Sequence, residues 1–104
     1  MAQSGFSARH VAGQLIRCAT SISANAHEAQ EGQSKPDFIA KMSVSRKESR
    51  EANMWLRFAV ATEMVQPSDV TWELQESIEL LRMIRQAIRT ARSRPDRGNS
   101  DWCA

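Results

Sequence analysis

The chain has 104 residues, enough for one small domain with a modest shared core. Lysine and arginine total 14 and aspartate and glutamate total 12, so the formal net charge of +2 is too small to demonstrate a polyanionic partner. No apolar run approaches the roughly 20 residues that cross a bilayer, and the two cysteines lack the spacing of a secreted disulfide scaffold. We therefore expect a cytoplasmic protein without membrane contact.

Hydrophobic periodicity predicts two long helices in the first two thirds of the chain. The first, at about residues 7–31, runs without a breaker until Gly32, a residue type common just beyond helix C-termini. The second, at about residues 35–65, begins after Ser34, which with Asp37 reads as a capping box. It continues without glycine or proline to the next turn.

A third helix is predicted at about residues 70–93, after a turn at residues 67–69 that contains proline. Its acidic first half and basic second half suit the helix macrodipole. Residues 95–104 have loop composition, which predicts a flexible tail. Because short connections place successive helices side by side in opposite directions, we expect residues 1–94 to form an all-α, antiparallel up-down helical bundle.

Polar residues recur on one side of the first helix, within roughly 80° of one another and beside an apolar stripe. Charged residues on the second helix fall between its apolar flanks. A buried charge costs several kcal/mol unless it is paired and hydrogen-bonded, so these groups are predicted to meet in a structural polar network. Its members are Arg17, Ser21, Asn25, Glu28, Lys41, Glu48 and Glu51.

The three carboxylates of this network invite comparison with di-metal bundles. Such sites need Glu-x-x-His pairs, but Glu28 follows His27 directly, and neither Glu48 nor Glu51 has a histidine three residues later. We expect no metal site, no cofactor and no catalytic residues, because acid, base and nucleophile groups cannot be assembled from this chain. Cys18 is interpreted as a small apolar filler.

Arginines form one ridge on each of the last two helices, within roughly 40° on the second and roughly 80° on the third. The planar guanidinium pairs bidentately with phosphate, so these ridges are candidates for nucleic-acid contact. The alternative is a solvated face whose arginines form salt bridges with nearby glutamates. The residues are Arg46, Arg50 and Arg57, followed by Arg82, Arg85, Arg89 and Arg92.

Large apolar side chains suggest association. Trp55, Phe58, Trp72 and Met54 are expected in the core or at a subunit interface. With three phenylalanines, three tryptophans and no tyrosine, the chain lacks the exposed stacking platform of single-strand binders. The apolar arc of the third helix spans roughly 160°, wider than one partner helix covers, so part of it is expected to mediate association.

The segment from Gln14 to Phe58 resembles the bacterial four-helix bundle proteins encoded in intervening sequences of 23S ribosomal RNA genes. Relatives of that family include the accessory variability proteins of diversity-generating retroelements. The matching elements are Gln14-Leu15, Arg17, Thr20-Ser21-Ile22, Asn25, Glu28-Ala29, Ser34, Asp37-Phe38-Ile39, Lys41, Lys47-Glu48, Glu51 and Trp55-Leu56.

This resemblance implies a small, all-α, cytoplasmic protein of obscure function. Its retroelement branch implies a ring-like homo-oligomer whose basic surface engages nucleic acid and a reverse transcriptase. Family members carry a further helix before the Gln-Leu element, whereas 13 residues precede Gln14 here. Either the real start lies further upstream and supplies that helix, or the protein is a three-helix variant; in both cases we expect three long helices in this sequence, with the first helix of the four-helix bundle missing from it.

Together these observations predict a non-enzymatic bundle protein that self-associates and presents its arginines to RNA or DNA as an accessory factor. The alternative is a protein-binding adaptor, for example for a reverse transcriptase, without direct nucleic-acid contact.

Overall fold

The computed structural model describes residues 5–32 and 34–95. Within these ranges the chain forms three α-helices and one 3-10 turn, with no strand, so the all-α prediction is confirmed. Past Pro95, the predicted tail lies outside the described residues. The elements are α1 (Gly5–Gln30), α2 (Lys35–Ala61), the 3-10 turn (Pro67–Asp69) and α3 (Thr71–Ser93).

Residues on either side of the connection between α1 and α2 make the contacts that end one helix and begin the next. The Ser34 hydroxyl accepts a hydrogen bond from the backbone N–H of Asp37 at 3.2 Å, which caps α2. Gly32 is buried, and a Cβ there would collide with the Asp37 carboxylate and approach the Ala29 carbonyl oxygen to 3.1 Å. Close packing, and not a left-handed backbone, therefore explains this glycine.

The helix α2 ends before the boundary near residue 65 that the sequence predicts. The backbone N–H of Met64 donates to the Ala59 carbonyl at 2.9 Å, and that of Glu63 donates to the Val60 carbonyl at 3.0 Å. Glu63 has a φ of 63°. This is a Schellman motif, which usually has glycine at the left-handed position. Because Glu63 occupies that position instead, no glycine marks the end of α2 in the sequence.

The helices α1 and α2 lie side by side in opposite directions. Arg17 near the middle of α1 pairs with Glu48 of α2, whereas Glu28 near the end of α1 pairs with Lys41 near the start of α2. Partner numbers fall along α2 as they rise along α1, which is the signature of antiparallel neighbours.

The same relation holds between α2 and α3. The Asn53 amide donates to the Ser77 hydroxyl at 2.8 Å, and the Lys35 ammonium donates to the carbonyls of Arg92 and Arg94 at 3.1 and 2.8 Å. Lys35 thereby satisfies carbonyl groups at the C-terminus of α3, where a positive charge is also favoured by the helix dipole.

The main buried cluster lies where the second half of α1, the first half of α2 and the second half of α3 meet. Its members are Ile22, Ala29, Met42, Ile84 and Ile88. At the other end the apolar side chains are less covered. Trp72 is 68% exposed, and Met54 and Phe58 are also exposed. The prediction that these three residues lie in the core of this chain is therefore wrong. Their location at a subunit interface stays a prediction. Trp55 is half-buried and makes edge-on contacts with His10 and Phe58.

Candidate functional site

Six arginines of α2 and α3 line the surface where these two helices meet. Two adjoining recesses, of about 370 and 240 Å³, lie along the junction of these helices and share Arg85. The floor includes Asn53, Met54, Leu81 and Ile88. We call this feature the arginine groove, and its cations are Arg46, Arg50 and Arg57 of α2 with Arg85, Arg89 and Arg92 of α3.

Helical geometry explains why the two ridges face the same groove. The core of the molecule sets the rotation of α3, because its buried residues must face inward. Each groove arginine of α3 directly follows one of these buried residues, so it emerges about 100° further round the helix, on the side next to α2. The three successive pairs are Ile84-Arg85, Ile88-Arg89 and Ala91-Arg92.

No carboxylate neutralises the groove within the described part of the chain. None of the ion pairs found in residues 5–32 and 34–95 includes a groove arginine. The Arg89 guanidinium donates to the side-chain carbonyl of Gln86 at 3.2 Å, which leaves its charge uncompensated. Arg82, the seventh candidate, lies outside the groove lining and pairs with Glu79 at 3.3 Å. Among the seven candidates, the described residues therefore show a salt bridge for Arg82, while the other six have no ion-pair partner there.

The groove arginines are available to solvent and to ligands. Arg46 is half-buried, and the other five are exposed. Guanidinium groups stay protonated at all physiological pH values, so the groove carries a fixed positive charge. Like charges along a concave surface add their potentials, which raises the local concentration of anions.

A second group of charges lies between α1 and α2. The Arg17 guanidinium contacts Glu48 Oε1 at 3.1 Å, Glu51 Oε1 at 2.7 Å and Cys18 Sγ at 3.6 Å. The Glu48 side chain is 10% exposed and that of Arg17 is 47% exposed, so the carboxylate is interior and the guanidinium closes over it from the surface. We call these four residues the Arg17 cluster.

The rest of the predicted polar network does not join this cluster. Lys41 pairs with Glu28 at 2.9 Å and is half-exposed. The Asn25 amide donates to the carbonyl of Ser21 at 2.9 Å, a bond within α1. The structure therefore brings together Arg17, Glu48 and Glu51 as predicted, but divides the seven residues into three separate groups.

The electrostatics of the Arg17 cluster are those of a packed ion pair. Burial raises the pKa of the Cys18 thiol, partly offset by the nearby Arg17 charge, so the thiol stays neutral. The hydrogen bond to Glu51 raises the pKa of Arg17 still further. Likewise, the hydrogen bond to Glu28 raises the pKa of Lys41.

Cys18, Glu48 and Glu51 place their ligand-type atoms within 4.8 Å of one another, as a metal site would require. However, Arg17 donates to the carboxylate oxygens that a metal ion would use, and the thiol is held in its neutral form. The donor set therefore fits an arginine clamp better than a metal ion. The sequence pointed to the two carboxylates but gave no sign that Cys18 would join them.

Two serines of α2, Ser45 and Ser49, are buried. The Ser45 hydroxyl donates to the Ile22 carbonyl of α1 at 3.0 Å, whereas the Ser49 hydroxyl has no hydrogen-bond partner among the described residues. Small residues such as these let neighbouring helices approach closely. Ser45 and Ser49 are four residues apart on the interior face of α2, and this spacing is the sequence signal from which their burial could be predicted.

A second depression lies on the other flank of α3, between α1 and α3. It has a volume of about 470 Å³ and a mostly apolar lining, with Glu73, Glu76, Ser23 and Ser77 as its polar members. We call it the apolar groove. Its apolar lining residues are Leu15, Ala19, Ile22, Ala52, Leu56, Trp72 and Leu80.

Comparison with known families assigns the chain to a protein family. The sequence profile of the 23S rRNA-intervening sequence proteins matches residues 5–86, which is more than half of the chain. The chain belongs to this family. The matched range covers α1, α2 and most of α3, and it ends before Arg89 and Arg92.

Neither a curated protein nor a solved structure matches the chain. The family assignment therefore rests on the sequence profile. No helix in the described part of the chain is both long enough and apolar enough to span a membrane.

Proposed function

We propose that this family member is a non-enzymatic accessory factor that binds RNA or DNA through the arginine groove. The observation that supports the proposal most strongly is the convergence of six arginines from two helices without a neutralising carboxylate in the described residues.

Phosphate backbone contact matches the chemistry of the groove. A guanidinium offers donors in a planar fork that fits two oxygens of one phosphate, and a row of such groups tracks successive phosphates. Contacts of this kind position a protein on nucleic acid without reading its sequence. The proposed activity is therefore backbone binding, with affinity that falls as salt concentration rises.

Binding of a fluorescent RNA hairpin, followed by anisotropy at several salt concentrations, tests the proposal. We expect Arg50→Gln and Arg89→Gln each to weaken binding and to reduce the slope of log K against log salt by about 1. Arg82→Gln is the matched control, because Arg82 lies on α3 outside the groove and is paired with Glu79. Equal losses for all three variants, or no binding by the parent protein at low salt, would contradict the proposal.

We also propose that the protein self-associates, with a second copy of the chain as the occupant of the apolar groove. The outer face of α1 offers suitable chemistry. Ile16 is 67% exposed, and Arg9 lies seven residues earlier, nearly eclipsed with it on the helix. An apolar side chain beside a cation complements a groove whose rim carries Glu73 and Glu76. The second copy would thereby contribute the further helix of a four-helix arrangement, in a dimer or a closed ring.

Molar mass measured by light scattering during gel filtration tests self-association. We expect Ile16→Glu and Leu80→Glu each to shift the protein towards the monomer. Val44→Glu is the control, since Val44 is 39% exposed but lies outside the apolar groove. Glu76→Arg should also weaken assembly, and addition of Arg9→Glu should restore it. A monomeric parent protein at micromolar concentration would contradict the proposal.

The alternative function is a protein-binding adaptor whose arginines contact an acidic protein surface, for example on a reverse transcriptase. The same uncompensated charge favours such a surface. An arginine groove that binds an acidic protein but not bare nucleic acid at low salt would favour this alternative.

A further inference from the structure

The arginine groove has cations on both of its sides, and this arrangement bears on whether the bound nucleic acid is single-stranded or double-stranded. We infer that the groove holds a double-stranded backbone, with the phosphates of one strand against α2 and those of the other against α3. This inference rests on the proposed nucleic-acid binding and specifies its ligand.

The cations form two rows and not one. The row on α2 contains Arg46, Arg50 and Arg57, and spans about 16 Å along the helix. The row on α3 contains Arg85, Arg89 and Arg92, and spans about 10 Å. Packed helix axes lie about 8–10 Å apart, so the two rows run side by side at roughly that separation before their side chains diverge.

A duplex presents two phosphate strands across a narrow groove. The minor groove of B-form DNA is about 6 Å wide, and the major groove of A-form RNA is deep and narrow. Two parallel lines of phosphates therefore match two parallel rows of guanidinium groups. A single strand presents one line of phosphates, which would leave one row without a partner.

The lining of the groove also lacks the groups that single strands need. Proteins that bind single strands stack bases on aromatic side chains. The groove floor is formed by Asn53, Met54, Leu81 and Ile88, and its lining contains no aromatic residue among those that the structure describes. Trp72, the one aromatic residue of α3, is exposed and belongs to the apolar groove on the opposite flank. The arginine groove is therefore equipped to hold backbone and not to stack bases.

The test compares nucleic acids of matched length and sequence, using the complete chain. The probes are a short blunt RNA duplex, the corresponding DNA duplex and an unstructured single strand of each chemistry, each measured by anisotropy. We expect at least one duplex to bind about tenfold more tightly than its single strand at moderate salt, because more phosphates are neutralised. The RNA and DNA duplexes distinguish the two sources of a paired backbone.

Variants of the two rows give the more specific readout. For the preferred duplex, Arg50→Gln on α2 and Arg89→Gln on α3 should each reduce the salt slope by about 1, whereas the Arg82→Gln control should leave it unchanged. Equal or tighter binding of the single strand would overturn the inference and leave the proposed function intact, whereas a slope that responds to only one row would overturn both. Absence of binding to every probe would overturn both.

Discussion

Ser45 and Ser49 occupy successive turns of α2, and both are almost completely buried. Only Ser45 has a partner in the described structure, the Ile22 carbonyl of α1. Their hydroxyls should therefore contribute to stability with opposite signs. A buried hydrogen bond contributes roughly 1 kcal/mol, whereas an unsatisfied buried hydroxyl costs a comparable amount.

We predict that Ser45→Ala lowers the free energy of unfolding by about 1 kcal/mol, and that Ser49→Ala raises it by about 0.5–1 kcal/mol. Each variant serves as the control for the other, because the two substitutions remove the same atom from similarly buried sites. Urea denaturation followed by circular dichroism measures both. Destabilisation by Ser49→Ala equal to that of Ser45→Ala would show that the Ser49 hydroxyl is bonded after all.

Cys18 should make stability depend on pH in the alkaline range. Its pKa is raised in the folded protein, so above about pH 8.5 the unfolded chain releases the thiol proton while the folded chain retains it. Stability is unaffected by this group at lower pH and falls as pH rises beyond that value. Cys18→Ala should therefore lose less thermal stability than the parent between about pH 7 and about pH 10. Parallel losses in the two proteins would contradict the buried neutral thiol.

At the scale of single elements, the end of α2 is held by an unusual residue. Glu63 adopts the left-handed conformation that Schellman motifs usually assign to glycine. We predict that Glu63→Gly stabilises the protein by about 0.5–1 kcal/mol, because glycine relieves the steric cost. Glu63→Ala, which keeps the Cβ, should give no such gain in the same thermal unfolding measurement. A stabilising alanine would instead indicate that the glutamate charge is unfavourable there.

The Arg17 cluster joins α1 to α2 through the interior carboxylate of Glu48. Removal of this group would leave Arg17 with one fewer partner and would open space between the helices. We predict that Glu48→Ala lowers Tm by about 4–8 °C. Glu31→Ala is the control, because the Glu31 side chain, just beyond the end of α1, is 71% exposed and pairs with the exposed His27. An unchanged Tm for Glu48→Ala would remove the cluster from the account of how the helices are held.

Much of the helical layout could be predicted from sequence because its signals are local. The Ser34 cap and the apolar periodicity of α3 mark those elements correctly. The end of α2 was misplaced because Glu63 takes the role of glycine. The division of the polar network was also missed, because spacing shows which residues share a helix face but not which face pairs with a neighbour. Lys41 and Glu48 share such a face, yet each contacts a different turn of α1.

In the molecule as a whole, α3 presents three different surfaces around its circumference. One side contributes Ile84, Ile88 and Ala91 to the buried interior. One flank contributes Trp72 and Leu80 to the apolar groove, and the other contributes arginines to the arginine groove. The sequence predicted the two arginine ridges separately. Their union required the antiparallel packing of α2 and α3, which only the fold provides.

Contact of nucleic acid with both rows of the arginine groove can be measured directly. NMR titration of an RNA duplex into ¹⁵N-labelled protein follows it through the side-chain Nε–Hε signals of arginine. We expect the signals of Arg46, Arg50, Arg57, Arg85, Arg89 and Arg92 to shift, while those of Arg17 and Arg82 stay in place. Shifts centred on Arg17 and Arg82, or confined to a single helix, would contradict it.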